Sequence, residues 1–544
     1  MKREQMTLEQ KIGQMVMCGF QTPEIDDCAK ALIEKYHVGG IIYFRRNVLN
    51  KEQVGQLSLD LQELNRKHTD IPLFISIDQE GGMVARIDWD DITLIPSNMA
   101  VGAARDEKLA YESGRICGEE LLRMGINMNF APSVDVNNNA KNPVIGVRSY
   151  GENPELVSKM GAAQIRGLQD ANVAATAKHF PGHGDTAVDS HHGLASVPHD
   201  EERLFNVELA PFVKAIEEGV DCIMTAHVMF PAFEPDSIPA TISSKVLTDL
   251  LRKRLGFQGV IVTDCLEMHA ISKEYGIPEG TIRAVQAGAD LILISHRYAE
   301  QSQAIEALIQ AVRDGRISEE HIDASVDRIL ALKAKRSMDQ LITIDESYAA
   351  GFGSKASKAV VEQINEKSIT LVKDEGQLPV AKEARTIVIW PEVRQRTEVD
   401  EPIVQSYTLA TALAEHMPHV DEYRIGTYPD EDEVQATVAH AEQYEQVIVV
   451  TYNAVATLHE GQVSIVKQLA ANPKLRVIVA ASRNPYDLNQ FPEVKTYVCA
   501  YENRPMMMEA LAKALLGDIP SVGQLPVTIN EQYPYGYHTQ LQNQ

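Results

Sequence analysis

At 544 residues the chain is too long for one compact domain, and length alone points to roughly two to four. Hydrophobic residues make up 44% and charged residues 23%, ordinary values for a globular chain with material for sizeable cores. A formal net charge of -25 excludes nucleic acid as the main partner, because a phosphate backbone needs a basic face.

Six cysteines (Cys18, Cys28, Cys117, Cys222, Cys265 and Cys499) follow no CxxC pattern, which reads as reduced thiols in a cytoplasmic protein. No apolar run approaches the ~20 residues of a membrane helix. The first ten residues lack the apolar core of a signal peptide, so no membrane association or export is expected.

The first predicted element is a helix over 7–20, with Thr7 as its cap. Short apolar or β-branched runs then alternate with amphipathic segments. Strands are expected at 40–44, 73–77, 126–130, 173–177, 222–225, 260–263 and 291–294. The segments 108–124, 155–170, 204–218 and 243–255 read as helices between them. Alternation of this kind implies right-handed βαβ units, and seven of them fit a (β/α)8-type barrel with one irregular or missing member. A doubly wound sheet is the alternative.

The pattern lapses after Lys335. Residues 1–336 are therefore taken as the barrel domain and 337–353 as a linker, with 354–544 a C-terminal α/β domain of sandwich type. That last part has an expected helix at 354–366. Apolar runs follow at 368–372, 386–390, 447–451, 477–481 and 496–500.

Ionisable residues fall at the ends of the expected strands. Asp78 follows 73–77, Lys178 and His179 follow 173–177, His227 comes just after 222–225, and Asp264 comes at the end of 260–263. The carboxyl ends of parallel barrel strands converge on one mouth, where active sites are built. Asp264 has apolar neighbours on both sides, so its carboxylate is either paired with a cation or used as a nucleophile or base. Glu267, three residues on, reads as an acid at a helix start.

The densest stretch is Lys178-His-Phe-Pro-Gly-His-Gly-Asp-Thr-Ala-Val-Asp-Ser-His-His192. Asp189 and His191 are two apart and point the same way in extended backbone, which makes an acid/base pair tunable near neutrality. A metal site on His179, His183, Asp185, Asp189 and His191 is the competing reading. It lacks HExxH or helical i,i+4 ligand spacing, so neither metal nor cofactor is expected. His183 and His192 are read as structural. In Asp78-Gln-Glu-Gly-Gly-Met-Val-Ala-Arg86 an acid and a base flank a Gly-Gly turn and could clamp a substrate. Arg148 could bind a hydroxyl or carboxylate, or form a surface ion pair, and Asp135 could be a turn residue.

These motifs together resemble family 3 glycoside hydrolases of the β-N-acetylglucosaminidase branch. The resemblance rests on Lys178-His-Phe-Pro-Gly-His-Gly-Asp-Thr186 with Asp189-Ser-His191, on Asp78-Gln-Glu-Gly-Gly82, and on Asn142-Pro-Val-Ile-Gly-Val-Arg-Ser149. Val260-Ile-Val-Thr-Asp264, Met224-Thr-Ala-His-Val228 and Pro239-Ala-Thr-Ile-Ser243 agree in order and spacing. It spans residues 7 to about 336. Ser482-Arg-Asn-Pro-Tyr-Asp487 and Gly523-Gln-Leu-Pro-Val527 resemble the two-domain form of Gram-positive bacteria.

The resemblance implies a retaining double displacement, with Asp264 as nucleophile and His191, oriented by Asp189, as acid/base. It also implies that Asp78, Arg86, Arg148, Lys178 and His179 hold the sugar. Met83 departs from the arginine many relatives carry there, which touches a peripheral contact. The implied substrates are small β-N-acetylglucosaminides such as GlcNAc-MurNAc and muropeptides from cell-wall recycling. A phosphorylase that yields GlcNAc-1-phosphate is the close alternative, and a non-catalytic sugar-binding barrel a distant one. The residues do not choose an oligomeric state. They leave open whether the second domain caps the site, binds a peptide stem or drives dimerisation.

Overall fold

The computed structural model describes residues 2–187, 195–394, 405–454 and 456–539. Its N-terminal part is a parallel eight-stranded barrel. The strands are β1 (Val16–Cys18), β2 (Gly40–Tyr43), β3 (Phe74–Ile77), β4 (Met128–Asn129), β5 (Ala174–Phe180), β6 (Cys222–Thr225), β7 (Val260–Val262) and β8 (Ile292–Ile294), joined in that order. β8 pairs with β1. The barrel closes between β7 and β8 through a Val262–Leu291 bridge and a bond from Thr263 N to the Leu291 carbonyl (2.9 Å).

The strand missing from the expected set is β1. Thr7 does start a helix, in a reciprocal capping box with Gln10, but that helix is Leu8–Gln14 only. Val16–Cys18 is wholly buried and pairs with β2 and β8, so sheet pairing overrides the local helical pattern. The expected helix at 204–218 is two helices, Glu201–Asn206 and Ala210–Glu217, the second starting with a proline in its first turn.

The C-terminal domain is built on a six-stranded sheet. Its strands are β9 (Thr370–Asp374), β10 (Thr386–Glu392), β11 (Val420–Gly426), β12 (Gln446–Thr451), β13 (Arg476–Ala481) and β14 (Thr496–Cys499), in the order β9-β14-β13-β12-β10-β11. Only β9 runs antiparallel to its neighbour. β11, absent from the expected set, is an edge strand of half-exposed residues, so no apolar run marks it in the sequence.

The domains share residues. Met99, Ala100 and Ala103, from the helix Asn98–Ala104 that follows β3, belong to the C-terminal core, as does Val147. Arg504 donates to the Gly82 carbonyl (3.0 Å from Nη2) and pairs with Asp88 (3.2 Å). Glu502 accepts from the Ser97 amide (2.7 Å), and Tyr486 accepts from Asn137 Nδ2 (3.0 Å). The C-terminal domain thus braces the loops after β3 and β4. Tyr348, in the segment that joins the domains, is buried against the barrel core, and its hydroxyl donates to the Lys51 carbonyl (2.8 Å).

Among the described residues, no helix is long and apolar enough to cross a membrane.

Asp290 clasps the barrel seam. It is fully buried, accepts from Ile261 N (2.8 Å), Ser325 Oγ (2.9 Å) and Arg328 (2.9 Å), and pairs with Arg252. Asp290→Ala leaves buried donors without an acceptor and is expected to cost about 3–5 kcal/mol of stability. Thermal unfolding followed by circular dichroism checks this; an unchanged midpoint would contradict the clasp.

Candidate active site

β5 extends to Phe180, so Lys178 and His179 are strand residues and not the start of a loop. The Lys178–His179 peptide is cis. Lys178 has only 2% of its side chain exposed, and its Nζ lies 2.9 Å from Asp78 Oδ1 and 2.7 Å from Glu80 Oε1. Glu80 is equally buried and takes a bidentate fork from Arg148, at 2.8 and 2.9 Å. Arg86 Nη2 stands 3.8 Å from the other oxygen of Asp78.

Burial opposes ionisation of Glu80, but the charges of Arg148 and Lys178 outweigh it and hold the carboxyl below its usual range. Burial likewise opposes the Lys178 ammonium, and Asp78 and Glu80 more than restore it. Glu80, Lys178 and Arg148 are therefore charged in the neutral range.

A second buried acid, Asp135, organises the start of the histidine-rich stretch. It has no exposed surface and accepts from His179 N, His183 N and Ser133 Oγ. His179 Nδ1 lies 2.8 Å from Asp135 Oδ2. An ionised carboxylate only accepts, so Nδ1 carries the proton and Nε2 faces Arg148, 3.5 Å away. Burial first, then the electrostatic pull of His179 and His183, set the Asp135 carboxyl, which ends below its ordinary value.

The His183 and Gly184 carbonyls accept from Asn142 (2.8 and 2.9 Å), and His183 Nδ1 meets Thr186 Oγ1 at 2.9 Å. A Cβ at Gly184 would fall 1.7 Å from the Val136 carbonyl oxygen, so only glycine permits this approach.

Asp264 follows β7, is half-buried, and accepts from the Cys265 amide at 2.7 Å. His227, after β6, donates from Nε2 to the Cys265 carbonyl (2.9 Å), which ties its strand end to the turn that carries Asp264. Glu267 does sit at a helix start, that of a helix some thirty residues further along the chain. It accepts from the amides of Ser295, His296 and Arg297, just ahead of the helix Tyr298–Arg313. Asp189, His191 and His192 lie outside the described residues.

The structure thus gathers Asp78, Lys178, Arg148, Arg86 and His179 into one lattice, and sets Asp264 at the carboxyl end of another strand of the same barrel, β7. Two members escaped sequence reasoning as functional candidates: Glu80, hidden inside the Asp78–Gly82 motif, and Asp135, taken as a turn residue. The signal for both was available in principle, since two buried cations and a buried histidine each need an acid.

A closed parallel barrel with its ionisable groups collected at the carboxyl ends of the strands is the setting of a barrel enzyme, and a mouth of fixed carboxylates and cations suits a polyhydroxylated substrate. Family comparison gives the class its name. The model of the glycosyl hydrolase family 3 N-terminal domain matches residues 7–332, and that of the C-terminal domain matches 369–543. The chain belongs to this family and is a glycoside hydrolase.

Beta-hexosaminidase A of Pseudoalteromonas piscicida is 33% identical over 96% of this chain and 97% of its own length. A beta-N-acetylglucosaminidase/beta-glucosidase of Cellulomonas fimi is 29% identical over 96% and 94%. Among solved structures, a family 3 beta-N-acetylglucosaminidase from a Paenibacillus species has a TM-score of 0.94 and 52% identity, covering 96% of this chain and 99% of its own.

His183 yields a pH prediction. Burial, helped by the nearby His179, lowers its pKa from 6.5 to about 4. Unfolded chain binds this proton below 6.5 while folded chain refuses it until about 4, so the contribution to stability is complete above 6.5 and lost as pH falls towards 4. The loss is on the order of 3 kcal/mol. His183→Asn should flatten the acid-side decline of stability across that window in denaturant titrations; parallel curves for the two proteins would contradict it.

Proposed function

We propose that this chain is a retaining exo-β-N-acetylglucosaminidase that releases GlcNAc from β-N-acetylglucosaminides such as GlcNAc-MurNAc and muropeptides. The observation that carries the reading is the Asp264 carboxylate, held by the Cys265 amide at the carboxyl end of β7, in a barrel whose β3 and β5 carry the lattice of Asp78, Glu80, Lys178 and Arg148 at the same ends. The names of the relatives in Paenibacillus and P. piscicida support the N-acetylated sugar.

In this reading Asp264 attacks the anomeric carbon as the glycosidic C–O bond breaks, forming a covalent glycosyl-enzyme ester. His191, oriented by Asp189, gives its proton to the leaving oxygen. It then takes a proton from water as that water attacks the same carbon and releases the Asp264 carboxylate. Both groups come from the sequence motif. The sugar hydroxyls are gripped by Asp78, Arg86, Arg148, Lys178 and His179. Glu80 and Asp135 act through these residues by fixing Lys178, Arg148 and His179 in place. The second substrate of the second step distinguishes hydrolase from phosphorylase. A neutral imidazole base repels an anion less than a carboxylate does, so phosphate is the one acceptor that must be tested against water. The expected setting is the cytoplasm, on fragments already imported, as part of peptidoglycan recycling.

The test is a product assay on GlcNAc-MurNAc with and without phosphate, together with trapping by a 2-acetamido-5-fluoro sugar. Free GlcNAc in phosphate-free buffer and a label on Asp264 are expected. Asp264→Asn and His191→Ala should each lower kcat by about 10^3-fold or more. GlcNAc-1-phosphate formed only with phosphate would make the enzyme a phosphorylase, and a label on another residue would remove Asp264 as nucleophile.

A further inference from the structure

Beyond the sugar lattice, the histidine-rich stretch turns a different set of groups towards one another. His199 Nε2 lies 2.6 Å from Asp185 Oδ2, and Glu208 completes a triangle in which one ligand atom from each residue lies within 4.8 Å of the others. Asp185 and His199 are partly exposed, whereas the Glu208 side chain is 1% exposed. Glu208 Oε1 accepts from Asn138 Nδ2 (3.0 Å) and from Arg203 Nη2 (3.4 Å). Its Oε2 is buried and has no hydrogen-bond partner among the described residues, and neither has Asn138 Oδ1.

A buried carboxylate oxygen left without a donor is destabilising. Here it stands beside an imidazole nitrogen and a second carboxylate, the ligand types that borderline divalent ions take up. We propose that Asp185, His199 and Glu208 form a binding site for a divalent transition-metal ion, Zn2+ or Mn2+, with water completing the coordination. Ligand atoms around such an ion stand roughly 3.3 Å apart for bonds of about 2.1 Å. That lies between the closest separation in the triangle and its outer bound, so side-chain rotation suffices. The ion takes the place of the hydrogen bond between Asp185 and His199 and supplies the missing partner of Glu208.

The set differs from the one weighed on the sequence. There, His179 and His183 were candidate ligands, but the His179 ring is engaged by Asp135 and the His183 ring meets Thr186. A second group of ligand-type atoms, Cys265, Glu267 and His296, is less suited to a metal. Glu267 is already held by three amides and Arg297, and burial pushes the Cys265 thiol up to about 12.

The position gives the ion a role. Asp185 and His199 bracket Asp189 and His191 in the sequence, so an ion held between them binds on either side of the proposed acid/base pair. Occupancy of the site is then expected to alter kcat. This consequence rests on the proposed roles of His191 and Asp189, whereas the binding itself does not.

The experiment titrates chelator-treated full-length protein with ZnCl2 and with MnCl2 by calorimetry, alongside measurement of the melting temperature. Wild type, His296→Ala and His191→Ala should each bind one equivalent of one of the ions and melt higher when loaded. His199→Ala and Glu208→Gln should bind at least about tenfold more weakly. Neither ion bound by wild type, or unchanged affinity in His199→Ala, overturns the site; the partly exposed His199 keeps that outcome readable should the buried Glu208 variant fail to fold. Loading should also change the kcat of wild type and not that of His199→Ala. Binding with no change in kcat overturns the coupling to residues 189 and 191 while leaving the site standing, and an inactive protein still reports through its isotherm.

Discussion

Lys178 is an ammonium taken almost wholly out of water, and the site depends on what makes that tolerable. An isolated buried charge is untenable; one paired with two carboxylates is not. Asp78 and Glu80 come from the chain just after β3, Lys178 from β5, and Arg148 from the long loop after β4. Four charges from three stretches of chain therefore hold one another in register. The partly exposed Asp78 and Arg86 thus have an orientation fixed at folding, which is the condition for tight recognition of hydroxyls in the proposed reading.

The lattice leans in turn on the C-terminal domain. Gly82 has φ +56, and a Cβ there would fall within 3.0 Å of Ser97 and Glu502. Arg504 grips the carbonyl of the same residue. The turn that presents Asp78 and Glu80 is thus pressed between the domains. Burial pushes Glu502 up to about 7, against the Ser97 amide and Arg504, which favour its charged form. This interdomain carboxyl changes charge in the neutral range, two residues from the arginine that steadies the turn.

Much of this was legible in the sequence, and the parts that were not share a physical reason. Seven barrel strands declare themselves as apolar runs, and the ionisable residues at their ends mark the mouth. Val16–Cys18 does not, because three residues behind a well-capped helix carry no periodicity of their own and become a strand only by pairing with β2 and β8. β11 is hidden for the opposite reason, since an edge strand has too little buried surface to leave an apolar signature. In the site, the residues proposed to face the sugar stood out by type and position. Glu80 and Asp135 face other residues of the protein, and their partners lie 68 and 44 positions away in the chain, a relation no local pattern encodes. Glu267 shows the same limit from the other side: helix-start chemistry was apparent, but not which helix it serves.

The helix Asn98–Ala104 emerges from the barrel yet buries Met99, Ala100 and Ala103 among the residues of the C-terminal sheet. A barrel released from its partner would turn those side chains and Val147 to solvent as a sticky patch. Neither half therefore has a surface of its own to retreat to. Heat or denaturant should meet one cooperative body where the fold drawing suggests two, and the barrel alone, made as a fragment, is a candidate for aggregation rather than for a miniature enzyme.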